Sequence, residues 1–316
     1  MLLDALALAG GLALLLVAAS GLVRGAAALA LRFGLSPLVV GLTVVAFGTS
    51  APELVVSVQA TLAGAGGIAV GNVVGSNVAN VGLILALAVL VRPIATDPAL
   101  LRRELPVLIV ATAVGAAFLL DGTVARWEAG VLLAGLVASL AWSLKSAKAP
   151  AVPGPLAPEA AAPESLPEPG PLWRDALYVA GGLAGLVVGA DLLVGGATGL
   201  ARAAGVSDAV IGLTVVAIGT SLPELATSVV ASVRREGEIA AGNVVGSNLF
   251  NLLGILGVAG LVRPLEAPGL SAVDVAVMAA FTLALVPMMR TGLRLVRLEA
   301  GLLLLGYGAY TAYLLL

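Results

Sequence analysis

One thirteen-residue segment occurs twice in this chain. Residues 41–53 read GLTVVAFGTSAPE and residues 212–224 read GLTVVAIGTSLPE, identical at 11 of 13 positions at an offset of 171. At the same offset GNVVGSNVAN (71–80) returns as GNVVGSNLFN (242–251), and Arg92-Pro93 returns as Arg263-Pro264. Self-similarity at so long a period marks an internal duplication. Each copy carries a carboxylate, Glu53 or Glu224, directly after a proline in an otherwise apolar run. In lipid such a charge costs at least ~2.5–3.5 kcal/mol, and ionisable residues kept at that cost are functional by default. A glutamate merely snorkelling at the membrane surface gives no reason for its return at the matching position.

Of 316 residues, 60% are hydrophobic and 11% charged, with mean hydropathy +1.12. A soluble domain is nearer half apolar and a quarter charged, so the chain reads as a multi-span membrane protein. Apolar runs recur at the length of about 20 helical residues that a ~30 Å hydrocarbon core requires. Barrel strands would instead alternate every second residue, so the expected class is all-α. The sequence has no cysteine and no histidine, which excludes disulfides, Cys/His metal sites and histidine proton relays. A net charge of −2 without a basic stripe gives no reason to expect a nucleic-acid partner. The N-terminus lacks a positive region and carries Asp4. It reads as a retained first span rather than a cleaved signal peptide.

Ten spans are expected, at about 4–30, 37–62, 68–91, 104–121, 127–145, 174–201, 208–233, 239–262, 272–289 and 296–315. They divide the chain into a first five-helix repeat (1–148), a linker (149–171) and a second repeat (172–316). The linker holds eight prolines, three glutamates and no Lys or Arg, which suits an extended, solvated tether too short for a folded regulatory domain. Five spans per repeat force the second copy into the membrane upside down. Such inverted repeats are a transporter architecture with its site at the midplane. The count puts 13 of the 16 basic residues on one side, leaving Arg126, Arg202 and Arg263 on the other. By the positive-inside rule the linker is cytoplasmic and both termini lie outside the cell membrane. Trp127, Trp142 and Trp173 fall at span ends, as interfacial anchors do; Tyr307, Tyr310 and Tyr313 either join them or pack. Gly21/Gly25, Gly181/Gly185/Gly189 and Gly195/Gly199 have small-xxx-small spacing, which allows close helix approach, either for static packing or for sliding.

Pro52 and Pro223 should break spans two and seven near mid-membrane, freeing the carbonyls of Gly48 and Gly219. Non-helical backbone at that depth survives only where it lines an enclosed or wet cavity. Thr49 and Glu53, Thr220 and Glu224, Ser76 and Asn80, and Ser247 and Asn251 are each four residues apart. Each pair can turn two oxygens toward one point. The set contains only hard oxygen ligands, which suit Ca²⁺ and Na⁺. Two carboxylates at ~4 Å repel by roughly 4 kcal/mol at an effective dielectric of 20, so an empty site is strained and one cation leaves readily only as another arrives. Asn72, Asn77, Asn243 and Asn248 are expected in interhelical hydrogen bonds instead.

The motifs GTSAPE and GTSLPE, each followed by GNVVGSN, resemble the two α-repeats of the sodium/calcium exchanger family, prokaryotic type, within the cation/Ca²⁺ antiporter superfamily. The resemblance covers all ten spans and is strongest over 41–93 and 212–264. It implies ten transmembrane helices in two inverted five-helix repeats, with spans 2, 3, 7 and 8 as a core and spans 1 and 6 sliding across it. It carries the family's ligands onto the Ala46 and Ala217 carbonyls and onto Thr49, Ser50, Glu53, Ser76, Asn80, Thr220, Ser221, Glu224, Ser247 and Asn251. It implies Na⁺/Ca²⁺ antiport by alternating access, with Ca²⁺ and Na⁺ as transported ions, no cofactor, no obligate protein partner and no enzymatic activity. Well-known prokaryotic members carry an aspartate where this chain has Asn251. That missing titratable group keeps H⁺/Ca²⁺ antiport open as the alternative, with a cation channel behind it.

Overall fold

The structure is a computed structural model that describes residues 1–147, 170–204, 219–267 and 269–315. Helix fills every expected span as far as the chain is described. Span one is α1 (Leu2–Phe33). Span two is α2 (Pro37–Val40), a π-helical segment Gly41–Val45, α3 (Ala46–Thr49) and α4 (Ala51–Leu62). Span three is α5 (Gly66–Ala79), a π segment Asn80–Leu85 and α6 (Ala86–Val91). Then come a π segment Leu100–Glu104 leading into α7 (Leu105–Leu119), and α8 (Arg126–Ala147). The second half holds α9 (Leu172–Ala203), α10 (Leu222–Val233), α11 (Gly237–Leu249), a π segment Phe250–Ile255, α12 (Leu256–Val262), α13 (Ala272–Arg290) and α14 (Arg297–Leu315). Residues 205–218, the first part of span seven, and nearly all of the linker lie outside the described residues. Among the described residues six helices are long and apolar enough to cross a membrane alone, and a seventh span is the bent pair Pro37–Thr49 and Ala51–Leu62.

Among the described residues four two-residue strands tie the halves together: β1 (Ile94–Ala95), β2 (Thr123–Val124), β3 (Leu265–Glu266) and β4 (Arg294–Leu295). β1 pairs antiparallel with β4, Ile94 opposite Leu295, and β2 with β3, Thr123 opposite Glu266. At the offset of 171, β1 corresponds to β3 and β2 to β4, so each ribbon takes one strand from each repeat. β1 follows the third span of its repeat, and β4 the fourth span of its own. Two such strands meet on one side of the membrane only if a repeat crosses it an odd number of times. The ribbons thus carry the inversion in their pairing.

Spans three and eight form the centre, with 72% and 89% of their apolar windows buried, against 33% and 28% for α1 and α9. α1 and α9 make an outer pair, antiparallel along their whole length, from Asp4 at Gly196 and Gly199 to Arg32 beside Asp175. The contacts run through Asp4, Leu8, Gly11, Leu15, Ala18, Leu22 and Gly25, alternately four and three apart, and against them Asp175, Val179, Gly182, Leu186, Gly189, Leu193 and Gly196 in the same rhythm. That is the seam of a coiled coil. It corrects the glycine stripes expected from spacing. A methyl at Gly182 would sit 2.8 Å from the Leu22 main-chain N, whereas one at Gly181 or Gly195 meets nothing within 4 Å. The seven-residue set 182–189–196 faces the partner helix, and two of the residues expected there point away.

Candidate functional site

The helix of span two stops at Ser50 (φ −86°, ψ 7°) and restarts at Ala51, bent by 44°. Ser221 precedes α10 with the same geometry (φ −90°, ψ 5°). Pro52 and Pro223 each fall in the first turn of the helix that restarts, where a missing N–H costs no hydrogen bond. The prolines therefore begin second half-helices rather than kink continuous ones. α4 and α10 carry Glu53 and Glu224 in that first turn, both 1% exposed. A half-helix N-terminus is the end that favours negative charge.

The two carboxylates are held crosswise. Ser50 Oγ, in the first repeat, donates to Glu224 Oε1 at 2.8 Å, and Ser221 Oγ, in the second, donates to Glu53 Oε1 at 3.5 Å. Glu53 and Glu224 thus meet at the seam between the repeats, facing away from lipid. Thr49 and Glu53, expected on one face, are separated by the break. Thr49 Oγ1 donates across the repeats to Asn243 Oδ1 at 3.1 Å and lies 3.4 Å from the Ala46 carbonyl, which accepts from the Ser50 N–H at 3.0 Å. The single Thr49 proton goes to Asn243, so that carbonyl accepts from Ser50 alone and keeps a lone pair. Thr220 is half-buried beside Ser221, and Ala217 lies outside the described residues.

Spans three and eight supply a second layer. Asn80 Nδ2 donates to Asn248 Oδ1 at 2.9 Å, and its counterpart Asn251 Nδ2 donates to Asn77 Oδ1 at 3.2 Å. Asn248 Nδ2 is committed to the Asn77 main-chain carbonyl at 3.4 Å, so its oxygen must accept, and Asn80 must offer its nitrogen. The amide oxygens of Asn80 and Asn251 are left over. Both asparagines open π-helical stretches or lie in them, Asn80–Leu85 and Phe250–Ile255, and such single-turn bulges are frequent at functional sites. Ser76 and Ser247 are buried one turn earlier.

Among the described residues, buried side-chain oxygens without a hydrogen-bond partner include Glu53 Oε2, Glu224 Oε2, Asn80 Oδ1, Asn251 Oδ1 and Ser247 Oγ. All five belong to the set anticipated from the duplicated motifs. No group of three or more His, Cys, Asp or Glu gathers among the described residues, so an ion here depends on neutral oxygens beside the two carboxylates.

Two features were not foreseen. The π segments have no spacing signature of their own. Asn72 and Asn243 make the interhelical hydrogen bonds expected of them; the spacing did not announce that their partners sit on the glutamate helices, each asparagine lying 19 residues after its glutamate. Asn72 Nδ2 donates to the Glu53 main-chain carbonyl at 3.2 Å and to Ser57 Oγ at 3.0 Å. Asn243 Nδ2 donates to the Glu224 carbonyl at 3.5 Å and to Ser228 Oγ at 3.0 Å.

Comparison with known proteins bears on this geometry. The family described as "Sodium/calcium exchanger protein" matches residues 3–145 and 175–316. A putative antiporter, CaxA, of Alkalimonas amylolytica is 40% identical over 305 residues, 95% of each chain. The sodium/calcium exchanger MaX1 of Methanosarcina acetivorans is 32% identical over 296 residues, covering 83% of this chain and 84% of its own. A solved structure of the sodium-calcium exchanger NCX_Mj superposes with a TM-score of 0.85 at 33% identity, covering 99% of this chain and 98% of that one. With its family match running through both halves, the chain belongs to the sodium/calcium exchanger family.

Proposed function

We infer that this chain is a Na⁺/Ca²⁺ antiporter working by alternating access, with both ions bound in turn between the two repeats. The observation that carries the reading is that, of eight buried side-chain oxygens without partners among the described residues, five come from the duplicated motifs. A buried acceptor left unpaired costs roughly 1–3 kcal/mol, and five of them on the helices of spans two, three, seven and eight call for a guest that only accepts electron pairs. A dehydrated hard cation is such a guest. Proton exchange is not favoured over this reading, since the matching family and the relative MaX1 are named for sodium and calcium.

Glu53 and Glu224 supply the charge, each steadied by the opposite repeat's serine. Asn80, Asn251, Ser76 and Ser247 supply neutral oxygens, and Thr49, Ser50, Thr220, Ser221 and the Ala46 and Ala217 carbonyls complete the set. Ala46 offers the carbonyl lone pair that the Ser50 N–H leaves free. With no cation between them the carboxylates repel, so the emptied site is disfavoured and release of one ion is tied to capture of another. The seam of α1 with α9 suits a gate that moves as a single body across the more deeply buried spans.

The repeat boundaries 1–148 and 172–316 draw support from the family match, which stops at 145 and resumes at 175. An outward-facing pair of termini and a cytoplasmic 149–171 linker follow from the basic residues gathered on one side. The test is Ca²⁺ uptake into proteoliposomes under an imposed Na⁺ gradient. Uptake should follow the gradient and cease when Na⁺ is equal on both sides; uptake indifferent to Na⁺ refutes the exchange.

A further inference from the structure

We propose that Asn72 and Asn243 are positioning residues for the ion site, and that Asn243 couples the ligands of one repeat to those of the other. The proposal rests on the reading of Glu53 and Glu224 as ion ligands. An amide nitrogen carries two protons. In both asparagines one goes to the glutamate's own main-chain carbonyl and the other to the serine one turn further along the same helix. A helix carbonyl already accepts a bond from four residues on. A second bond from a neighbouring helix pins that peptide, and with it the base of the carboxylate side chain.

Committing both protons also fixes where the amide oxygen points. In Asn243, which is fully buried, the oxygen faces the first repeat and accepts from Thr49 Oγ1 at 3.1 Å. One side chain therefore touches the backbone under Glu224 and the hydroxyl at the break of span two. The hydrogen bonds of Asn72 stay within its own repeat among the described residues and reach only Glu53 and Ser57. An ion that draws Thr49 toward itself pulls on Asn243 and so on the Glu224 helix. Filling one repeat's ligands is thereby felt at the other's, and a Na⁺ ion there discourages Ca²⁺ more than its own charge would.

The test is Ca²⁺ binding by calorimetry to the purified full-length protein, without Na⁺ and with 100 mM Na⁺ as the probe concentration, roughly a physiological ionic strength. Asn243→Ala and Asn72→Ala should each weaken Ca²⁺ binding by about tenfold or more, as lost outer-shell support does. Asn243→Ala should also shrink the Na⁺-induced rise in apparent Ca²⁺ Kd by roughly threefold, whereas Asn72→Ala keeps that ratio near wild type. Thr112→Val is the control for a merely structural role. It removes a buried interhelical hydroxyl contact, Thr112 to Thr282 at 3.4 Å, on two helices that carry none of the proposed ligands, and should move neither quantity. If Asn243→Ala fails to fold, Asn243→Leu, closer in volume, breaks the same link without touching a proposed ligand and should shrink the ratio likewise. A folded Asn243→Ala, or Asn243→Leu in its place, with the wild-type Na⁺ ratio overturns the coupling. So does an equal change in Thr112→Val. Glu224→Gln separates the two levels: wild-type Ca²⁺ binding there overturns the site reading itself, while lost binding there beside intact Asn243→Ala overturns only this proposal.

Discussion

Gly246→Ala should disable the site without touching any proposed ligand. Gly246 lies on α11 where it crosses the first half of span two, and an added methyl would sit 2.5 Å from the Leu42 carbonyl oxygen, 2.8 Å from its Cα and 2.7 Å from Ala46 Cβ. Two of those atoms are main chain and cannot swing aside. Restoring ordinary contact at ~3.5 Å means separating the helices by about 1 Å. Such overpacking costs roughly 1–3 kcal/mol. The same crossing holds the Thr49–Asn243 bond, one turn away on each helix, at 3.1 Å. A 1 Å separation stretches it to about 4 Å, beyond hydrogen-bond range. Ca²⁺ affinity should then fall by about 10–100-fold, the usual effect of removing support behind a ligand. The assays are Na⁺-driven Ca²⁺ uptake in proteoliposomes and thermal melting in detergent. Gly181→Ala, whose methyl meets nothing within 4 Å, should match wild type in both. Wild-type uptake and melting in Gly246→Ala would refute the claim that this crossing sets the site's geometry.

Three further outcomes are expected. Ca²⁺ at a hundred times its Kd should stabilise the protein by about 2.7 kcal/mol through mass action, read as a rise in Tm that K⁺ at equal ionic strength does not reproduce. The chain has no cysteine, so Ala18→Cys with Gly185→Cys, adjacent across the α1–α9 seam, should crosslink and still exchange ions if the pair moves as one body; loss of exchange on oxidation would show that the two helices slide on each other. Asp274 closes a capping box with Ser271 and accepts the Tyr310 hydroxyl at 2.8 Å, so Asp274→Ala should cost roughly 1–2 kcal/mol of stability, with Tyr310→Phe costing less and Ca²⁺ affinity unchanged in both.

Most of the architecture was legible because the duplication made two readings of every feature available. Glu53 and Glu224 stood out by their energetic cost in an apolar run, and the odd span count set the inversion that the ribbons of β1 with β4 and β2 with β3 embody. The seam of α1 and α9 was half legible. Small-xxx-small spacing found the right helices and five glycines that do lie against the partner, but it also took in Gly181 and Gly195, which point away, and missed Gly182 and Gly196, because an antiparallel partner selects a seven-residue set. Thr49 and Glu53 stand four apart across the break at Ser50, and spacing alone does not say that Thr49 bonds Asn243 while Glu53 accepts from Ser221. The crossed serines could not be read from sequence. They depend on how two repeats close on each other, and local spacing carries no information about that. Nor does any residue pattern announce the π turns at Asn80 and Phe250, which are fixed by tertiary packing.

The most direct measurement is calorimetric titration of Ca²⁺ into the purified wild type, Glu53→Gln and Glu224→Gln, each with and without Na⁺. The account predicts Ca²⁺ binding that Na⁺ competes away in the wild type, and loss of that binding in each folded variant. Ca²⁺ bound with undiminished affinity by either glutamine variant would contradict it.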